Sequence, residues 1–328
     1  MKDRMRIGIT GSTGVLGHRI TELAVEKGLH VKSLVRRRGK IDKLSNLNLS
    51  LVYGDITDSD SLVDFVKDID VCIHLAAHVS FGTKKEYYKT NVDGTKNICR
   101  AIVKYNPECR LIYCSTISAL KVKRFIKCLS TDYAISKYLA ERQVEFYKKE
   151  KGLKAVIIYP GLIFGPNDTK FLPYLIKYLK EGRLFFVSGG EERGPLIYID
   201  DLCELFLIAA IREDAIGKRY LGVGNLEIGI HDFIKIVAQK IGKSPPMLKI
   251  PKSLIFPVAL LMETIYALFK INKAPMISKR VVDVLSINFD PSIKNIHQNL
   301  EWKPMVSVVN GIDHALKWYK KQYRENIS

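Results

Sequence analysis

Short apolar runs alternate with segments of helical periodicity through the first half of the chain. "RIGIT" reads as a buried strand and residues 15–26 as a helix. "HVKSLVR" and "LSLVYGD" read as two more strands, and 58–66 as helical. "IDVCIHLAA" is a strongly apolar strand, and a long helix is predicted from about 93 to 105. The strand "CRLIYCST", a helix carrying "YAISKYLAERQVEFY" and the strand "KAVIIYPG" complete the series. This rhythm predicts βαβ units and an α/β, doubly wound parallel sheet with both faces covered.

The rhythm changes after Gly161. Helical segments dominate, glycine and proline become dense ("FGPND", "SGGEERGP", "GKSPP"), and two short strands interrupt near "PLIYI" and "RYLGVG". The expected division is a sheet domain over 1–160, with returns to the main sheet near 195–225, and a smaller, mostly helical C-terminal substrate lobe over 161–194 and 226–328. Within that lobe, residues 254–269 ("LIFPVALLMETIYALF") are almost wholly apolar, broken by Pro257 and Glu263. A spanning helix needs about 20 such residues, so a buried helix of the lobe is expected. An interfacial segment is the less favoured alternative.

Composition narrows the class. The 328 residues are 47% hydrophobic and 26% charged, ordinary for a globular protein. The net charge of +18 admits nucleic acid, an anionic membrane surface or anionic small ligands. The bases are scattered, with knots at "RRRGK", "KVKRFIK" and "YKKEKGLK", and no nucleic-acid motif accompanies them. A lysine-rich solvated surface is the better reading, with membrane-surface association not favoured. The six cysteines include no Cys-x-x-Cys and no His/Cys cluster, so no metal is expected. Together with a strand that starts within the first residues and leaves no leader, they predict a reduced, cytoplasmic setting. His74 and His78 read as packing or loop residues.

Candidate chemistry begins at "ITGSTGVLGHRI". Gly11, Gly14 and Gly17 fall between the first strand and the first helix, spaced G-x-x-G-x-x-G. Glycines there permit a tight turn and close backbone approach to a pyrophosphate, and the following helix start offers free N–H groups. No Gly-Lys-Ser/Thr follows, so the loop is not a P-loop.

The loop "TGSTGVLG" resembles that of extended short-chain dehydrogenases/reductases, a family with a Rossmann-like fold. Six further segments resemble that family's signatures in order: "YGDITD", "HLAA", "NVDGT", "YPGLIFGP", "YIDDL" and "FDPSIKNIHQNLEWKP". The resemblance implies a cofactor site built from Gly11, Ser12, Thr13, Gly14, Val15, Leu16 and Gly17, with Asp55 and Ile56 near adenine. It adds Leu75, Ala76, Ala77, Asn91, Cys114 and Ser115, then Tyr159, Pro160 and Gly161 over the nicotinamide. Val79, Ser80, Thr116, Ser118, Leu162 and Arg193 are the implied substrate contacts. Relatives also imply a homodimer, through helices near 84–105 and 133–149.

Tyr-x-x-x-Lys occurs three times, at Tyr133/Lys137, Tyr147/Lys151 and Tyr266/Lys270. Only Tyr133 follows a strand that ends in hydroxyl residues, at Thr116 in "CST"; that order is the family's active-site layout. Lys137 lies one helical turn from Tyr133 and can place its cation near the phenol, favouring ionisation. The resemblance makes Tyr133 the proton donor, Lys137 its tuner and a holder of the nicotinamide ribose, and Thr116 the substrate-orienting hydroxyl, with Ser115 and Ser118 as fallbacks.

Cofactor choice is read at the end of the second strand. An NAD site usually carries an acid there; Arg36, Arg37 and Arg38 stand instead, and guanidinium pairs well with phosphate. NADP(H) is preferred, with NAD as the alternative. Nucleotide-sugar relatives often carry Arg-Pro-x-Asn where this chain has Tyr159 and Leu162. The segment is closer to those of dihydroflavonol-reductase and 3β-hydroxysteroid-dehydrogenase relatives. The expected activity is an NADP-dependent oxidoreductase acting on a relatively apolar, or CoA- or phosphate-bearing, small molecule. The alternatives are a nucleotide-sugar epimerase or dehydratase with retained NAD, kept open by Arg193, and a non-catalytic NADP-binding sensor or assembly protein.

Overall fold

A computed structural model of the chain describes residues 5–37, 39, 41–122, 130–188, 190–191, 193–269, 271, 273–289 and 300–323. Arg38, Cys128, Lys270 and most of the segment 289–304 lie outside the described residues. Two compact units form. The first comprises Met1–Pro160, Leu202–Gly222 and Ile293–Trp302; the second comprises Gly161–Asp201, Val223–Ser292 and Lys303–Ser328.

The first unit alternates as its sequence pattern dictates. β1 (Arg6–Thr10), α1 (Val15–Glu26), β2 (His30–Val35) and β3 (Ser50–Tyr53) are followed by a 3₁₀ turn (Asp60–Leu62) and α2 (Val63–Val66). The 58–66 helix is thus only a 3₁₀ turn running into one short α turn. β4 (Val71–His74) precedes α3 (Lys84–Tyr87), a π-helical turn (Tyr88–Asp93) and α4 (Gly94–Tyr105), so the helix expected from about 93 is entered nine residues earlier, at Lys84. β5 (Arg110–Cys114), α5 (Ile117–Val122), α6 (Asp132–Lys151) and β6 (Ala155–Pro160) follow.

In the rest of the chain β7 (Leu162–Phe164), α7 (Phe171–Lys180), β8 (Phe186–Val187), β9 (Leu196–Tyr198), α8 (Ile199–Ile211) and β10 (Arg219–Gly222) come first. α9 (Ile230–Lys240), β11 (Lys249–Ile250), α10 (Lys252–Leu268), α11 (Lys279–Leu285) and α12 (Val308–Tyr323) complete it.

Seven strands make one sheet in the order β10–β6–β5–β4–β1–β2–β3, parallel throughout. The doubly wound parallel sheet read from the sequence is therefore what forms. β4 and β6 are buried at every position, which is why they read as continuous apolar runs. One expectation for the later strands fails. β10 joins the main sheet, but β9 pairs with β7 in a separate two-stranded sheet. Leu162 N–H already bonds Pro195 O at 2.7 Å, which commits "PLIYI" to that partner.

The second unit is mostly helical. Asp201 of "YIDDL" is buried and accepts from Met305 and Val306 N–H, both at 3.1 Å, which fastens the start of α8 to the residues just after "EWKP". α10 departs from expectation: of its residues only Ile255 and Ala259 are buried, so it is not a core helix. Among the described residues no helix is long and apolar enough to cross a membrane.

In the first unit, Arg110 is buried at the start of β5 and closes the end of α8. Its Nη1 donates to the carbonyls of Ala210 at 2.8 Å and Arg212 at 2.9 Å. The last carbonyls of a helix have no partner within it, and a cation there also meets the negative end of the dipole. Arg110→Met removes both effects. The expected loss, measured by urea unfolding, is about 2–3 kcal/mol; a change below about 0.5 kcal/mol would show the contact to be dispensable.

Candidate active site

Parallel strands place their C-terminal ends on one edge, and most of the sequence-predicted residues lie there. The glycine loop follows β1, Arg36 and Arg37 follow β2, and Asp55 lies just beyond β3. Leu75, Ala76 and Ala77 follow β4; Cys114 ends β5 before Ser115 and Thr116; Tyr159 and Pro160 end β6. β1 sits between β2 and β4, where the chain's winding reverses and a crevice opens in such sheets.

The loop after β1 is shaped by two close approaches. Gly11 has φ +77° and lies so near the segment after β4 that an added Cβ would be 2.8 Å from Ala76 N. At Gly17 an added Cβ would be 2.1 Å from Gly11 O, so any side chain would push the helix off the loop. Gly14 starts α1 in an extended conformation without a side-chain cap, and no acid occupies the first turn. Ser12 is buried, and its Oγ has no hydrogen-bond partner among the described residues. Thr13 and Gly14 are exposed, with Val15 and Leu16 half-buried. Uncapped N–H groups, a positive dipole end and an orphan hydroxyl fit the pyrophosphate of a dinucleotide.

A chain of hydrogen bonds fastens this loop to its neighbours. Ala76 N–H donates to Thr10 Oγ1 at 3.2 Å, and Thr10 lies 2.7 Å from His74 Nδ1. His74 Nε2 lies 3.1 Å from Thr95 Oγ1, which donates to Asn91 O at 2.6 Å. Each threonine has one proton to give. The pattern therefore places the imidazole proton on Nε2, with Nδ1 accepting. Burial, then the Lys137 charge, pulls the His74 pKa down to about 3, so the ring stays neutral. Asn91 accepts from His78 N–H at 2.7 Å and donates to His78 O at 3.2 Å and to Ser136 Oγ at 2.9 Å.

The chemistry-bearing side chains sit on α6. Thr131 caps it, its hydroxyl accepting from Ala134 N–H at 3.2 Å, so the helix starts just before Tyr133. Lys137 is buried; its Nζ donates to Cys114 O at 2.6 Å and lies 4.3 Å from the centre of the Tyr113 ring. Burial lowers its pKa to about 8, against the opposing influence of Cys114 and Glu141. Tyr133 is half-buried, with its ring edge-on to Tyr87 at 6.4 Å. Thr116, half-buried, accepts from Ser118 N–H at 3.3 Å at the start of α5.

The fallback Ser115 is differently placed. It is buried, and its hydroxyl donates to Glu141 at 3.1 Å. The Tyr159 hydroxyl donates to the same carboxyl at 2.9 Å from a fully buried ring, which leaves Tyr159 only its backbone to offer a ligand. Arg36 and Arg37 are exposed, and the sequence at the end of β2, "LVRRRGK", holds no acid. Asp55 turns one oxygen onto Thr57, accepting from both its N–H and its hydroxyl at 2.9 Å. Ile56 is buried beside Gly94, where an added Cβ would be 2.6 Å from its Cδ1. Val79 is half-buried and Ser80 exposed. Gly161, Leu162 and Arg193 belong to the second unit, where Arg193 is exposed and its carbonyl accepts from Phe289 N–H at 2.7 Å. Among the described residues no group of three or more His, Cys, Asp or Glu could hold a metal ion.

Sequence reasoning missed three participants. Glu141 ties Ser115 and Tyr159 together, and its position one turn beyond Lys137 was the available signal. Tyr87 lies edge-on to His78 at 4.8 Å and donates to Ser80 O at 2.6 Å, so it holds the loop after β4. Ser136 joins Asn91 to the Tyr133 carbonyl. No motif marks the last two.

A sequence profile of the NAD dependent epimerase/dehydratase family matches residues 7–224. The chain is 25% identical to a 2-alkyl-3-oxoalkanoate reductase of Shewanella oneidensis, over 93% of this chain and 84% of that protein. It is 26% identical to a putative dihydroflavonol 4-reductase of Synechocystis sp., over 95% and 94%. In fold it resembles UDP-glucuronic acid 4-epimerase from Bacillus cereus, solved in complex with NAD, with a TM-score of 0.68, 21% identity and 99% of each chain covered.

The buried ammonium makes a pH prediction. Below about 8 both folded and unfolded chains hold the Lys137 proton, and folding bears the full desolvation cost. Between about 8 and 10.5 the folded form sheds the proton while the unfolded form keeps it, so this lysine's effect on stability becomes more favourable as pH rises. Without added nucleotide, wild type should gain up to about 3 kcal/mol relative to Lys137→Met between pH 7 and 10.5. A difference in unfolding free energy that stays flat over that range would contradict the assignment.

Proposed function

From the premise that this chain belongs to the NAD dependent epimerase/dehydratase family, as an oxidoreductase using a nicotinamide cofactor, we propose that it is an NADPH-dependent ketone reductase acting on a largely apolar substrate. The observation that carries this reading is Lys137, one turn beyond Tyr133 on α6, with its ammonium seated on Cys114 O at the end of β5 and Thr116 two residues beyond. The names of similar proteins support reduction of a ketone near alkyl or ring carbon, as in 2-alkyl-3-oxoalkanoate and dihydroflavonol reductases.

Each residue's part follows from its chemistry. The cofactor, when bound, supplies hydride from its nicotinamide. Gly11–Gly17 backbone and the Ser12 hydroxyl hold its pyrophosphate, and Arg36 and Arg37 pair with the 2′-phosphate. Thr116 donates a hydrogen bond to the substrate oxygen and orients it. Ser115 is spent on Glu141, which leaves that position to Thr116. Tyr133 passes its phenolic proton to the same oxygen as the carbonyl carbon is reduced, and the product is the alcohol. The phenolate left behind is stabilised by the Lys137 ammonium one turn along, which brings an otherwise weak acid into working range. Neutral His74 keeps the loop after β4 in place without adding a competing charge.

The test is consumption of NADPH and NADH by the purified protein with branched 3-oxoalkanoates and related ketones. Tyr133→Phe should lower kcat/KM by about 10²–10⁴-fold. Arg36→Ala/Arg37→Ala should weaken NADPH by about 10–100-fold, with little change for NADH. Full-speed turnover by Tyr133→Phe would end the reading. Tightly retained NAD with interconversion of a nucleotide sugar, and no net consumption, would replace it with the epimerase reaction.

A further inference from the structure

The geometry of α10 points to a second function of this chain, independent of its chemistry: we propose that α10 docks the protein onto an anionic lipid bilayer, lying in the interface without crossing it. The helix packs one face on α11, burying Ile255 and Ala259. The opposite face is open. Leu254 is 64% exposed, Leu261 60%, Leu268 75% and Phe269 70%, with Val258 and Ile265 also exposed. At about 100° per residue, the exposed positions from Ala267 round to Phe269 sweep roughly 200° of the helix surface. A patch this continuous and apolar marks an interaction site.

Charge decides the occupant. Between Ser253 and Phe269 the one Asp, Glu, Lys, Arg or His is Glu263. It faces inward, accepting from Lys279 N–H at 2.8 Å and lying 3.5 Å from Lys279 Nζ. The exposed arc therefore carries no charge. Its flanks are basic: residues 243–280 hold seven lysines or arginines and this single acid; Lys249, Lys252 and Lys279 pair with Glu191, Asp283 and Glu263, while exposed Lys243 before the arc and Lys273 after it add positive charge at both ends. The whole chain adds a net charge of +18. A broad uncharged apolar arc between basic ends matches acyl chains lying beneath anionic headgroups. A paired helix from a second copy would need only a narrow apolar seam with charges alongside it. With 17 residues, the helix is too short to span.

The test is flotation of the full-length protein with phosphatidylglycerol–phosphatidylcholine vesicles and with phosphatidylcholine alone. Wild type should partition at least about tenfold better onto the anionic vesicles, and added salt should weaken this. Leu261→Gln/Leu268→Gln should lose about tenfold or more of that binding while keeping wild-type circular dichroism and nicotinamide-nucleotide binding. Equal flotation of the double variant, or wild type that stays in the aqueous phase with both vesicles, overturns the proposal. A lipid-free dimer that the double variant converts to monomer, with no vesicle binding by wild type, assigns the face to a second copy and overturns it as well.

Discussion

A lysine held out of water organises the polar interior of the first unit. Removing an ammonium from solvent is costly unless its protons find partners. Here Lys137 finds the Cys114 carbonyl and the face of the Tyr113 ring, with the Glu141 carboxyl one turn further along the same helix. The contact also fixes geometry. Cys114 ends β5 and Lys137 sits in α6, so this hydrogen bond, with the Ser115–Glu141 bond beside it, seats the helix on the end of the strand. The same charge helps keep His74 neutral across the sheet.

Around that cation the remaining polar groups form a directional network. From Ala76 through Thr10, His74 and Thr95 to the Asn91 carbonyl, every proton has one direction to run. Three residues of "NVDGT" thereby acquire physical meanings. Asn91 grips both backbone groups of His78, Gly94 makes room for Ile56, and Thr95 receives the imidazole. The loop segments bordering the crevice are tied to the sheet and to each other through this network.

Much of the sheet was legible because buried parallel strands have no polar face: β4 and β6 are apolar without alternation, and the glycines between β1 and α1 mark a turn that only small residues permit. Strand partners were less legible. "PLIYI" has the composition of a core strand, yet which strand it joins depends on the Pro195 carbonyl meeting Leu162, a matter of three-dimensional neighbours. The apolar run 254–269 shows the same limit: hydropathy records what a segment would bury, not whether the fold supplies a partner, and α10 has one on a single side. At the candidate site, Tyr133, Lys137 and Thr116 could be picked out by order along the chain. The division of labour among Ser115, Glu141 and Tyr159 could not, because it rests on contacts between residues far apart in sequence.

The wide turn at Tyr88–Asp93 has a bearing on how such a chain can change over time. A π-helical turn holds one more residue than its α counterpart. Excising that residue would restore ordinary pitch but rotate α3 by about 100° relative to α4. Tyr87 would then swing away from His78 and from the Ser80 carbonyl, while Asn91 would lose its hold on the His78 backbone. The bulge thus works as a phase adjuster between two helices. A substitution on either helix is felt at one contact, as at Tyr87 or Thr95, whereas a single-codon deletion in the turn would shift every one of these contacts at once.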